Sequence, residues 1–84
     1  LGTLKIGETV PEQLKSDLGL EHDAVKLLTE AVEHCVKVGD FNTRAKLEGI
    51  LTSEEEHIDW IETQLETMKQ VGVEMYLSQH MHVE

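Results

Sequence analysis

Apolar residues recur at helical spacing through most of this chain. From Leu14 they step by four and three through Leu18, position 21, Val25, Leu28, Val32 and Cys35, which marks one face of an α-helix. A second series runs Leu47, Leu51, position 54, Ile58, Ile61, Leu65 and Met68 until Gly72 interrupts it. Between the two, Gly39 reads as a helix stop and Asp40 as the cap of the next helix, so a tight turn over 38–40 joins antiparallel helices. Thr9 and Glu12 have the spacing of a capping box, and Pro11 fits a first turn, which places the first helix start near residue 10. The pattern predicts an all-α chain with one domain. It has a lead-in over 1–8, helices over about 10–38 and 41–70, a short helix over about 73–80, and a tail holding His80 and His82.

Helices of roughly thirty residues are about 45 Å long, and a lone pair buries only the line where they touch. Association with further helices is therefore expected. Composition refines this picture without changing it. Of 84 residues 39% are hydrophobic and 29% charged, an ordinary globular mix. Seven Lys and Arg stand against 17 Asp and Glu, and the net charge of −10 opposes nucleic-acid binding and favours cations as partners. No apolar run is long enough for a membrane span, and no secretory leader is visible. Cys35 is the single cysteine, so no internal disulfide exists, and a reducing, cytoplasmic setting is expected. The start at Leu1 rather than Met suggests a cleaved, truncated or processed product.

The chemistry lies where the apolar pattern breaks. Each seam skips one position, and both intruders are glutamates, Glu21 and Glu54. A carboxylate among apolar neighbours is costly unless it is paired or bound to a cation. His57 follows Glu54 by one helical turn on nearly the same face. From the turn centre between Gly39 and Asp40, Glu21 lies 18.5 residues back, and Glu54 and His57 lie 14.5 and 17.5 forward. These heights agree within about 6 Å, so the three side chains can share one ligand. Two carboxylates and an imidazole suit Fe(II), Mn(II) or Zn(II) better than Mg or Ca. Two other readings stay open: glutamates that set helix register in a structural interaction hairpin, and a redox-inert zinc site. Glu55, Glu56, His22 and His34 are expected on solvated faces, Cys35 as an inert buried thiol, and Trp60 and Met68 as packing residues.

The motifs LKIGETV at Leu4 to Val10, SDLGLE at Ser16 to Glu21, EEEHIDWIETQL at Glu54 to Leu65, and the segment from Gly72 to Tyr76 resemble the C-terminal half of the bacterioferritin family. That resemblance implies half of a ferritin-like four-helix bundle within a large homo-oligomeric cage that oxidises and stores iron. It implies that Glu21 is a metal-bridging glutamate, and that Glu54 and His57 form one Glu-x-x-His pair of a di-iron ferroxidase centre. The other half of the site would come from the N-terminal half of a subunit or from a second copy. The resemblance allows haem b in the complete particle, but Met68, Met75 and Met81 do not stand where its ligand belongs. The sequence departs from the family at Ser53, where an acidic residue is common, and at Met75 and Ser78 of the final helix, where amide side chains are frequent.

Overall fold

The connection between the long helices is so short that it dictates the architecture. The computed structural model describes residues 6–80, in which α1 spans Ile6–Val38, α2 Phe41–Val71 and α3 Val73–His80. Gly39 takes φ +79°, a left-handed conformation open to glycine at little steric cost. In that conformation its N–H reaches the Val36 carbonyl at 3.2 Å, and the Asp40 N–H reaches the Cys35 carbonyl at 2.8 Å. These two bonds form a Schellman motif and satisfy carbonyls that the end of α1 would otherwise leave bare. Asp40 then starts α2: its carboxylate accepts from the Thr43 N–H at 3.2 Å, and its carbonyl accepts from the Arg44 N–H at 3.1 Å. One residue both closes α1 and opens α2, and the chain reverses within two residues.

The helices pack along the predicted seam. Cys35, Ile58, Ile61 and Met68 are buried, and Leu14, Leu18, Val25, Leu28, Val32, Leu47, Leu51 and Leu65 are half-buried beside them. Only five hydrophobic residues are buried among the described residues, the fifth being Tyr76 of α3. A pair of rods 51 Å in greatest extent has a contact line instead of an enclosed core. At the far end Gly72, with φ +88°, lets the chain leave α2, and α3 packs against both long helices. The Tyr76 hydroxyl donates to Gln64 Oε1 at 2.5 Å and ties α3 to α2. No helix among the described residues is long and apolar enough to cross a membrane.

The structure corrects the first boundary. A helix start near residue 10, capped by Thr9, is not observed, because helical backbone already runs from Ile6 and Thr9 lies inside it. A capping residue must have non-helical dihedrals, so the Thr9 and Glu12 spacing is a local signal that the longer helix overrides. Pro11 is likewise not in a first turn: it is the sixth residue of α1, where its missing N–H forgoes the bond to the Gly7 carbonyl. The expected lead-in is thus helical over 6–8, while 1–5 lie outside the described residues.

Candidate metal centre

Glu21 stands near the midpoint of α1, and Glu54 and His57 straddle the midpoint of α2. The antiparallel register brings the three together as the level arithmetic predicts. His57 Nδ1 sits directly against Glu21 Oε2 across the helix pair. The Glu21 carboxyl is held below the usual carboxylate range, first by the neighbouring Glu54 carboxyl and then by its hydrogen bond with His57. Glu54 is pushed the other way, first by its hydrogen bond to Glu21, then by burial and by the like charge of Glu21. The two shifts run in opposite directions, so of the two carboxyls Glu54 is the one that keeps its proton to higher pH.

One atom is left over. Glu54 Oε2 is buried and has no hydrogen-bond partner among the described residues. A buried acceptor without a donor carries a desolvation cost that a cation can remove. The donor set suits a borderline transition metal, so the residues fit the implied group. They form one side of a shell: among the described residues no three His, Cys, Asp or Glu side chains are already arranged around a vacant ion position. Glu21 and His57 are turned onto each other, and only one helix pair contributes. The far side is open, since the His57 side chain is 53% exposed and that of Glu21 20%.

Trp60 belongs to this site and not to the packing role expected for it. It is 52% exposed, and its ring stacks on the His57 imidazole at 6.1 Å between centroids and 28° between planes. It lies three residues after His57, so helical spacing alone places them together, but the apolar character of Trp pointed to the core. Other expected positions fall as follows. Glu55, Glu56, His22 and His34 are exposed, Cys35 is a buried free thiol, and Met68 is buried. Ser53, Met75 and Ser78 are exposed, with the Ser78 hydroxyl donating to the Met75 carbonyl at 2.9 Å. His82 and Met81 lie outside the described residues.

Gly19 and Gly49, inside the long helices, have no atom within 4 Å of where a Cβ would stand. Close helix approach therefore does not explain either of them.

Comparison with known proteins identifies the family. A family model described as a ferritin-like domain matches residues 2–71. Bacterioferritin from Mycobacterium bovis is 42% identical over 79 residues, covering 94% of this chain and 50% of the relative. Bacterioferritin from Mycobacterium avium shows the same identity over the same shares. That from Rhodobacter capsulatus is 43% identical over 72 residues, covering 86% of this chain and 45% of the relative. The chain spans about half the length of the curated relatives it matches.

Proposed function

This chain belongs to the ferritin-like family, and from that premise we propose that it supplies half of a di-iron ferroxidase centre for iron storage and detoxification. The carrying observation is the convergence of Glu21, Glu54 and His57 at mid-length, with the buried Glu54 Oε2 lacking a hydrogen-bond partner among the described residues. Two further helices, each pair contributing one glutamate and one Glu-x-x-His pair, would close a four-helix bundle around the site. The remaining half of a subunit or a second copy would provide them, within a cytoplasmic cage whose haem b, where present, is ligated outside this chain.

Fe(II) is the substrate of this reading: two ions enter the bundle, an oxidant takes one electron from each, and Fe(III) passes on to the store. The residues divide the task by their chemistry. Glu21 and Glu54 offer anionic oxygens whose charge favours the ferric state over the ferrous one. Glu54, whose carboxyl is pushed up, would bind a cation in its deprotonated form, so ion uptake at this residue would be favoured as pH rises. His57 contributes a neutral nitrogen, which keeps the total negative charge low enough for iron to leave again. The ring of Trp60 limits how far the imidazole can swing, and the acidic surface raises the local concentration of cations.

Anaerobic Fe(II) titration of the assembled protein tests the reading, followed by oxygen or peroxide and ferric absorbance. Saturation near two irons per four-helix bundle is expected, with rapid oxidation that is lost in the Glu21→Ala, Glu54→Ala double variant. Tight zinc binding with no difference in iron oxidation between wild type and variant would replace this reading with the redox-inert site. Absence of stoichiometric binding of either ion would leave a structural hairpin in which Glu21, Glu54 and His57 set register.

A further inference from the structure

The fold treats its sulfur atoms unequally. Among the described residues Cys35 and Met68 are buried, at 6% and 3% exposed, whereas Met75 of α3 is 52% exposed. We infer that Met75 is a modification site, at which hydrogen peroxide installs a sulfoxide whose oxygen Ser78 and Gln79 receive.

Access decides which sulfur reacts. A thioether has no proton to lose, so its oxidation follows exposure to the oxidant and not ionisation. Met75 borders a shallow groove lined also by Val71, Gly72, Val73, Glu74 and Ser78, where a molecule as small as peroxide can approach it. Cys35 and Met68 meet peroxide only when the fold opens locally.

Two donors already stand at the Met75 sulfur. Gln79 Nε2 donates to Sδ at 3.8 Å and Ser78 Oγ lies 4.0 Å from it. A thioether is a weak acceptor, so these contacts contribute little before oxidation. A sulfoxide oxygen carries partial negative charge and accepts strongly. Gln79 lies one helical turn beyond Met75, and rotation of its side chain is enough for the amide to follow the new oxygen. The Ser78 hydroxyl, which now donates to the Met75 carbonyl at 2.9 Å, can turn to the same oxygen. The backbone of α3 stays where it is.

The position also tolerates the change. Sulfoxidation makes a flexible apolar side chain polar, which disrupts a packed core. At Met68 it would set an oxygen in the contact line of α1 and α2. At Met75 no core packing is lost, because α3 is anchored by its neighbour Tyr76, which is buried and donates to Gln64 Oε1 at 2.5 Å. Adjacent helical residues point about 100° apart, so the anchor and the exposed sulfur occupy different faces. In the reaction the sulfur lone pair attacks one peroxide oxygen, the O–O bond breaks as the S–O bond forms, and the other oxygen takes up the transferred proton and leaves as water. Sulfur is oxidised by two electrons and peroxide is reduced by two.

The test exposes the metal-free assembled protein to hydrogen peroxide with a chelator present, so its outcome does not depend on the iron reading. Tandem mass spectrometry of proteolytic peptides locates the added oxygen, with fragment ions separating position 75 from position 81. Met75 is expected to react at least about tenfold faster than Met68. Hydrogen exchange of the α3 peptide is expected to stay within about twofold of the reduced protein. In the Ser78→Ala, Gln79→Leu double variant, the same oxidation is expected to speed α3 exchange by about threefold or more relative to that variant's own reduced form, because the oxygen has lost its donors. A Met75 that stays unreacted in the assembly, or that reacts no faster than Met68, overturns the site. Equal changes in α3 exchange on oxidation of wild type and double variant overturn the part given to Ser78 and Gln79.

Discussion

Asp40 concentrates more structural work than any other polar residue of the turn. Its N–H ends α1, and its carbonyl and carboxylate begin α2. Hydrogen bonds from Thr43 hold its carboxyl below the ordinary value of 3.8. A depressed acid stabilises the fold above its unfolded pKa, and that contribution is lost as pH falls through the lower folded pKa. Asp40→Ala is therefore expected to lower Tm at pH 7. Asp40→Asn should retain the cap and lose less Tm than wild type between pH 7 and about pH 3. Thermal melts of the three proteins at both pH values check this, and an Asn variant as acid-sensitive as wild type would contradict it. At this same scale the metal ligands were legible in the sequence because they violate a regular pattern: a glutamate in an apolar seam is conspicuous. Trp60 was not, because a large apolar ring one turn from a ligand violates nothing, and only its 52% exposure shows that it lies outside the contact line.

Among the elements, the seam positions and the Gly39 turn were readable because helical periodicity and left-handed glycine each have one dominant physical cause. The start of α1 was not, because a capping motif is a four-residue signal and gives way once a longer helix continues through it. Gly19 and Gly49 show the converse, residues whose cost has no visible return. Each lies in a helix interior with open space at its Cβ position, where Gly is less favourable than Ala by about 1 kcal/mol. Gly19→Ala and Gly49→Ala are each expected to raise stability by roughly 0.5–1 kcal/mol, near additively because the sites share no partner. Urea denaturation followed by circular dichroism measures this, and a loss of stability at either position would show that the glycine meets a partner in the assembly.

As a whole molecule the hairpin is strongly anionic, and on α2 Glu48, Glu55, Asp59 and Glu62 are all exposed. The self-repulsion of a net charge of −10 weakens as salt shortens the screening length from about 30 Å at 0.01 M to about 8 Å at 0.15 M. Tm is expected to rise over that range of sodium chloride. A fall would mean that attraction such as that in the ion pair of Arg44 with Glu48, at 3.8 Å, outweighs the repulsion. That two long helices enclose little was legible from their length and number, and the 51 Å extent of the pair with its line of contact agrees.

The stacking of Trp60 on His57 carries one more consequence. It is the only tryptophan in the chain, so the protein's ultraviolet emission comes almost entirely from a single indole in contact with a proposed ligand and half open to water. The molecule thereby contains its own optical gauge of the site. Water around the ring sets a long-wavelength emission, a covering surface shifts it toward the blue, and a paramagnetic ion beside the imidazole dims it. Colour and brightness thus report two separate events, closure of the face and filling of the centre, from one unlabelled residue.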